Sequence, residues 1–174
     1  MIQFEAQLQG TGGSIILRLP DDASAMLPSR GQVAVNGVMN GHAFQTVLEP
    51  DGKREHWLKV DKKLRQTAAI KEGDTVTLTV ESAKDCPEPG IPEDFQAALA
   101  DAPDISGLWE SITPMARWEW VRWINATKNL RTRERRVEVV ISKLRSGKRR
   151  PCCFDLAACT DPDLSKNGML VEVR

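Results

Sequence analysis

A proline-rich segment near the middle of the chain separates two parts with different hydrophobic periodicity. Residues 86–92 contain three prolines and a glycine, which is typical of a linker because proline interrupts both helices and central strands. Before this segment apolar residues recur at every second position, and after it they recur with the spacing of an amphipathic helix. We therefore expect an α+β protein, with a small β-barrel domain over residues 1–85, a linker over 86–92 and a small helical domain over 92–150.

The first part of the chain predicts six short strands bounded by turn residues. The alternating runs cover residues 2–8, 15–19, 32–37, 42–48, 56–60 and 75–81. Residues 10–13 are expected to form a loop, and Asp61 is placed to cap a short helix that extends through Ala69. Asn40-Gly41 is the strongest hairpin signal, because both central residues of a type I′ turn need a positive φ. Short strands with only short helices between them favour a small closed or half-closed barrel.

The second part predicts several helices with recognisable ends. Thr113-Pro114 supplies an N-cap and a first helical residue, and Gly147 suits the position just after the last helix. The predicted helices begin at Pro92, Pro103, Thr113 and Thr132. Trp120 and Trp123 fall on the apolar face of the third helix and are expected in its core. Residues 151–174 are expected to form a cysteine-containing tail.

The formal net charge of zero, from 24 basic and 24 acidic residues, conceals a strong segregation of charge. Residues 86–116 hold six acidic and no basic residues, whereas residues 117–150 hold twelve basic and three acidic ones. Either the two segments neutralise each other within the fold, or the basic segment faces a polyanion. Arg133 lies over the apolar stripe of its predicted helix and is expected to act as an intramolecular anchor through its planar guanidinium. The balance of charge excludes a globally basic DNA-packing protein.

Scattered positions in the first part resemble one domain family. They are Leu19-Pro20, Asn36-Gly37, Phe44, Pro50-Asp51-Gly52, Lys63-Leu64-Arg65 and Gly73-Asp74-Thr75-Val76. The pattern, over roughly residues 2–82, is similar to a family of bacterial and archaeal domains of unknown function. The resemblance implies a double-split β-barrel, similar in architecture to the AbrB and MazE transcription-regulator domains.

A more specific resemblance covers about residues 91–150. The stretches that carry it are Trp123-Ile124-Asn125-Ala126-Thr127-Lys128, Thr132-Arg133-Glu134-Arg135-Arg136-Val137 and Leu144-Arg145-Ser146-Gly147-Lys148-Arg149. They resemble the YdeI/OmpD-associated family, also called the bacteriocin-protection family. This resemblance implies a role in bacterial resistance to envelope-directed or antimicrobial-peptide stress, with an undefined biochemical activity. We expect the protein to act there as a non-enzymatic binding module. The alternative is a nucleic-acid-binding or regulatory protein that uses the basic C-terminal helices.

Seven side chains are candidates for contact with a partner or an anion. They are Trp118, Arg122, Arg135, Arg136, Lys143, His56 and Trp57. An off-face indole beside a guanidinium, as in Trp118 and Arg122, can stack on a base or anchor a peptide. The alternatives are packing of this indole against the β domain and pairing of the arginines with the acidic segment. We expect a cleft between the two domains to be lined by Trp118, Arg122, His56, Trp57 and the cluster of Lys62, Lys63 and Arg65.

The cysteines and histidines form no recognisable catalytic or metal-binding motif. Cys152, Cys153 and Cys159 are a weak alternative for a metal site, because their spacing does not match that of structural zinc sites. His42 and His56 have no companion nucleophile motif, and no glycine-rich phosphate loop opens a helix. We therefore expect no cofactor and no enzymatic activity.

The sequence also suggests where the protein acts and what it meets. No run of about 18 apolar residues occurs, and the amino terminus does not resemble a secretory signal. The cysteines are expected to be reduced thiols, which favours the cytoplasm. The expected partner is an unidentified protein or peptide, with nucleic acid as the alternative. Formation of a homo-oligomer stays open.

Overall fold

The structure, a computed structural model, describes residues 1–151 and 155–172. The chain divides into two compact units. Within the described ranges, the β unit comprises residues 1–87, 156–159 and 163–172. The helical unit comprises residues 88–151, 155 and 160–162.

Seven antiparallel strands build the β unit into a nearly closed barrel, which confirms the expected fold class. The strands are β1 (Ile2–Gln7), β2 (Gln9–Thr11), β3 (Ser14–Arg18), β4 (Val33–Met39), β5 (His42–Pro50), β6 (His56–Lys59) and β7 (Thr75–Ser82). Their order in the sheet is β1-β7-β4-β5-β6-β3-β2, and β1 also lies close to β3. Two short helices, α1 (Asp21–Ala25) and α2 (Lys62–Thr67), connect strands. Asp61 caps α2 as predicted, accepting a hydrogen bond from the Leu64 amide at 2.7 Å.

The predicted hairpin between β4 and β5 is confirmed. Asn40 and Gly41 have φ values of 47° and 83°, and Met39 pairs with His42 across the turn. Further along the same ladder, Gly37 pairs with Phe44. A Cβ atom on Gly37 would lie 2.5 Å from the Phe44 ring, so the glycine leaves room for the ring to cross its strand.

One predicted loop proved to be a strand. Residues 9–11 form β2 and pair with β3, with Thr11 opposite Ser14. Gly12 and Gly13 make the turn with φ values of 54° and 77°. Glycine at both turn positions allows a tighter reversal than the loop expected from the sequence. The residues before the turn can therefore pair with β3.

The segment after the helical unit returns to the β unit and builds a second small core there. It contains a hairpin of β8 (Ser165–Lys166) and β9 (Met169–Leu170), whereas the sequence pattern predicts only a cysteine-containing tail there. The second core consists of Ile16, Trp57, Cys159, Leu164 and Leu170, all buried. We call residues 156–159 and 163–172 the returning segment.

Hydrogen bonds and a close backbone approach fix the returning segment to β3 and to the loop after β5. The Leu170 amide donates to the carbonyl of Asp51 at 2.8 Å, and the Arg18 guanidinium donates to the carbonyl of Val171. A Cβ atom on Gly52 would lie 2.0 Å from the carbonyl oxygen of Gly168. Only a glycine permits this approach. The contact with Gly168, far away in the sequence, therefore explains why the Pro50-Asp51-Gly52 turn ends in glycine.

The helical unit consists of short helices followed by two longer ones. They are α3 (Glu93–Ala100), a 3-10 turn (Pro103–Ile105), α4 (Ser106–Ser111), α5 (Pro114–Asn125) and α6 (Leu130–Arg145). Thr113 caps α5 as predicted. The predicted start of the last helix at Thr132 is wrong, because the Asn129 side chain accepts from the Thr132 amide and α6 begins earlier.

The core of the helical unit is aromatic at its centre. Phe95 packs edge-to-face on Trp109, with ring centroids 5.1 Å apart, and Trp120 is 1% exposed. Val140 and Leu144 of α6 complete this core from the other side. In the described part of the chain, no helix combines the length and the apolar character that a membrane span requires.

We predict that Leu164→Ala lowers the free energy of unfolding of the β unit by about 2–5 kcal/mol, because it leaves a cavity in the second core. The side chain of Leu164 is 0% exposed. Urea denaturation followed by circular dichroism measures the change. Met169→Ala is the control in the same segment, because Met169 is 40% exposed. Equal effects of the two substitutions would contradict a structural role for the returning segment.

Candidate partner-binding site on the helical unit

The acidic and basic segments neutralise each other in part within the helical unit. Three arginine–carboxylate pairs join them: Arg117–Glu88, Arg133–Asp94 and Arg145–Asp104. The contacting atoms are 2.5, 2.5 and 2.7 Å apart, and each guanidinium uses two nitrogens. Hydrogen bonds from Arg133 and Arg145 lower the pKa values of Asp94 and Asp104. The predicted role of Arg133 as an intramolecular anchor is confirmed.

Arg117 also organises the junction between two helices. Its side chain is largely buried and donates to the carbonyls of Trp109, Glu110 and Ile112, at 3.1, 3.3 and 2.5 Å. These carbonyls belong to the end of α4, which has no further helical partner for them. Arg117 therefore serves the fold and does not contribute to an anion-binding surface.

Arg136 is likewise engaged inside the unit. Its guanidinium carbon lies 5.2 Å from the centre of the Trp123 ring, and its Nη1 donates to the carbonyl of Trp123 at 2.7 Å. Burial lowers the pKa of the Arg136 guanidinium from its ordinary value. The residue holds one face of Trp123 and closes the end of α5.

The end of α6 reverses the chain sharply at Gly147. The Gly147 amide donates to the carbonyl of Leu144 and the Lys148 amide donates to the carbonyl of Lys143, both at 2.9 Å. With φ of 88° at Gly147, this is a Schellman motif, as the predicted helix end implies. The reversal brings Lys148 back beside Lys143.

The residues after this reversal are held by three hydrogen-bonded attachments. The Trp120 indole donates to the carbonyl of Arg149 at 3.1 Å, and Arg149 donates to the carbonyl of Ser111 at 2.8 Å. Arg150 makes a bidentate pair with Glu119, at 2.6 and 2.9 Å. The Glu119 side chain is only 5% exposed, so this guanidinium supplies the opposite charge that a buried carboxylate needs.

These elements enclose a cavity of about 100 Å³ between α5, α6 and the segment after α6. Its apolar lining comes from Trp120, Trp123, Val139 and Pro151. Its basic lining comes from Lys143, Lys148 and Arg150. We call this cavity the Trp123 pocket. Trp120 and Trp123 meet there with ring centroids 6.5 Å apart in an edge-to-face arrangement. An apolar floor with a cationic rim suits a ligand that joins an apolar group to an anion.

The structure brings only one of the predicted helical-unit site residues to the pocket. Lys143 lines it, whereas Arg135 is exposed elsewhere on α6 and Arg136 lies on Trp123. Arg122 is buried and Trp118 is half-buried. Lys148 and Arg150 belong to the basic segment for which an anion-facing role was left open, and Trp120 and Trp123 were expected in the core. Lysine on both sides of a helix-ending glycine is the sequence signal that points to the pocket.

His56 and Trp57 lie in the interior of the β unit, which corrects their prediction as surface contacts. His56 is 1% exposed, and its Nε2 donates to the Gly31 carbonyl at 2.9 Å while its Nδ1 accepts from the Ser24 hydroxyl at 2.7 Å. The indole nitrogen of Trp57 donates to the Pro50 carbonyl at 3.1 Å. Both side chains satisfy their polar atoms within the fold and present none to a partner.

Of the three cysteines of the alternative metal site, the structure describes Cys159. Cys159 is buried in the second core of the β unit, and its amide donates to the Gly168 carbonyl at 2.8 Å. Cys152 and Cys153, the other members of the weakly predicted metal site, lie outside the described residues. Within residues 1–151 and 155–172, no cluster of three metal-ligating side chains occurs.

The fold defines a class of protein in which a small barrel is combined with a compact helical unit. Residues 4–80 match the model of a domain of unknown function, DUF1905. Residues 88–147 match the model of the family described as bacteriocin-protection, YdeI or OmpD-associated. The two matches support the resemblance to the YdeI/OmpD-associated family, and none of the curated proteins matches the chain.

We predict that Gly147→Ala costs about 1 kcal/mol of helical-unit stability, because alanine is strained at a positive φ. No atom lies within 4 Å of the added Cβ, so backbone strain is the whole cost. Gly107→Ala in α4 is the matched control, with the same open surroundings and no positive φ. It should stabilise the helix. Thermal unfolding measures both variants, and a neutral Gly147→Ala would contradict the strained turn.

We predict a loss of β-unit stability as the pH falls below about 6.5, the pKa of histidine in an unfolded chain. Burial, assisted by the charge of Arg30, lowers the pKa of His56 in the fold. The unfolded state therefore takes up the proton first, and the stability present above pH 6.5 or so is lost by at most about 1.4 kcal/mol per pH unit. His56→Gln should flatten this dependence. His42→Gln, which changes the chain's other histidine, should leave it in place in urea denaturation at several pH values.

Proposed function

We propose that the protein is a binding protein of the YdeI/OmpD-associated family that takes part in bacterial resistance to antimicrobial peptides. The match of residues 88–147 to the bacteriocin-protection family supports this assignment. The partner binds at the Trp123 pocket, and the protein holds it without chemical conversion. Action in the cytoplasm and an AbrB-type double-split architecture of the β unit are further parts of the proposal. The first is supported by the reduced state expected of the cysteines, and the second by the sequence resemblance.

The observation that carries the binding proposal is the fixed geometry of the Trp123 pocket. Three hydrogen-bonded attachments hold the segment after α6, and Arg136 holds Trp123. Concave sites that are formed before the ligand arrives lose little entropy on binding. Tryptophan is among the residue types that most often anchor a partner, and the basic rim adds electrostatic complementarity to an anionic one.

A second candidate, nucleic-acid binding, has a specific observation in its favour. Arg131, Arg135, Lys143 and Lys148 are exposed, and no ion pair involves them among the described residues. The pairing of Arg117, Arg133 and Arg145 with carboxylates favours the first candidate, because it removes three charges from any phosphate track.

The proposed function predicts a phenotype. Deletion of the gene from a bacterium that carries it should lower the minimum inhibitory concentration of an antimicrobial peptide. Wild-type protein and the Arg131→Glu variant should restore resistance, whereas the Trp123→Ala variant should not. Circular dichroism of the purified variants checks that they fold. Unchanged resistance after deletion, or full rescue by a folded Trp123→Ala variant, would overturn the proposal.

Salt dependence separates the two candidates. Binding through phosphates predicts that log affinity for an oligonucleotide falls with log salt concentration by roughly 0.7–0.9 per neutralised phosphate. Retention on heparin that is lost steeply with salt, together with affinity for single-stranded DNA, would favour the nucleic-acid candidate. If heparin does not retain the protein at low salt, the nucleic-acid candidate is rejected.

A further inference from the structure

The size of the Trp123 pocket limits its occupant to one group. Its volume of about 100 Å³ is below that of an engineered apolar cavity of roughly 150 Å³ that binds benzene. One aromatic ring or one branched aliphatic side chain is therefore the largest group that this pocket can take. The lining of Trp123, Val139 and Pro151 gives such a group apolar contact.

The charge at the rim of the pocket determines which charge the ligand can carry next to the inserted group. Lys143 and Lys148 are exposed, and Arg150 shares its charge with the buried carboxylate of Glu119. The rim therefore keeps an excess of positive charge, which favours carboxylates beside the inserted group and repels a cationic peptide.

The surroundings favour a protein segment over a nucleic acid. Glu134 and Glu138 interrupt the basic residues along α6, and Arg133 and Arg145 are paired with carboxylates. A phosphate backbone needs a longer uninterrupted track of cations, together with a stacking platform that serves successive bases. The Trp123 pocket instead offers one recess with local cations, which is the geometry of a single side-chain anchor.

We propose that the Trp123 pocket binds an acidic segment of a partner protein, which inserts one aromatic or branched aliphatic side chain and places carboxylates against Lys143 and Lys148. This inference rests on the proposed function and names the chemistry of its partner. It follows that the protein supports resistance through an acidic partner and does not capture a cationic antimicrobial peptide directly.

The probe is a blocked pentapeptide with a central phenylalanine flanked by aspartate and glutamate. Its binding to the full-length protein is followed by tryptophan fluorescence and by calorimetry. We expect saturable binding that weakens about tenfold when Lys143→Glu or Lys148→Glu turns an attraction into a repulsion. Replacing the central phenylalanine of the peptide by alanine should weaken binding by a similar factor, about tenfold, because it removes the apolar anchor.

Arg131→Glu is the matched control, because it makes the same change of charge at the opposite end of α6. The twelve positions to Lys143 correspond to about 18 Å along a helix, beyond the screening length at physiological salt. The affinity of the Arg131→Glu variant for the acidic peptide should stay within about twofold of that of the wild type. A version of the peptide in which lysine and arginine replace aspartate and glutamate should not bind to the protein.

Three results would overturn the inference. They are absence of binding to the acidic peptide, equal weakening by Arg131→Glu and Lys143→Glu, and tighter binding of single-stranded oligothymidylate than of the peptide. The resistance phenotype of the deletion is measured separately. A lost peptide interaction with an intact Trp123-dependent phenotype would therefore reject this partner chemistry alone, and an absent phenotype would reject the proposed function.

Discussion

The burial of Trp120 is the constraint on which the helical unit depends. An indole that is 1% exposed in an apolar core needs an acceptor for its N–H, and the carbonyl of Arg149 supplies it at 3.1 Å. That carbonyl can reach the core only because the chain reverses at Gly147. The same reversal carries Lys148 to the rim of the Trp123 pocket. The candidate site therefore depends on the same chain reversal that gives the buried indole its hydrogen-bond acceptor.

Charge in this protein is organised at two levels. Three arginines of the basic segment meet carboxylates of the acidic segment. The carboxylates stay partly exposed, so solvent screening limits what each pair adds to stability. The larger effect of these pairs is on the choice of binding partner, since they determine which basic side chains stay available at the surface. Glu119 has the opposite role, because it is buried and keeps Arg150 in place beside the pocket. A formal net charge of zero therefore coexists with a local excess of positive charge.

The parts of the fold that follow from local chemistry could be predicted from the sequence. Asn40-Gly41, the caps at Asp61 and Thr113 and the end of α6 at Gly147 each depend on a few neighbouring residues. The candidate site could be predicted only in part, because its walls come from α5, α6 and a turn whose juxtaposition is tertiary. His56 and Trp57 were misassigned for the same reason. Three of the residues that bury Trp57 belong to the returning segment, about 100 positions later in the chain, where no local pattern predicts the contact.

The return of the chain to the β unit makes the helical unit an insertion in a host domain. The second core can form only by closing a loop that contains the whole helical unit. Loop closure loses entropy as the disordered length grows, by about 0.6 kcal/mol per doubling. A folded insertion is a stiff connection, so it sets the effective concentration at which the returning segment meets β3 and β6. A ligand that stabilises the helical unit therefore also affects how cooperatively the β unit folds, even if the ligand does not contact the β unit.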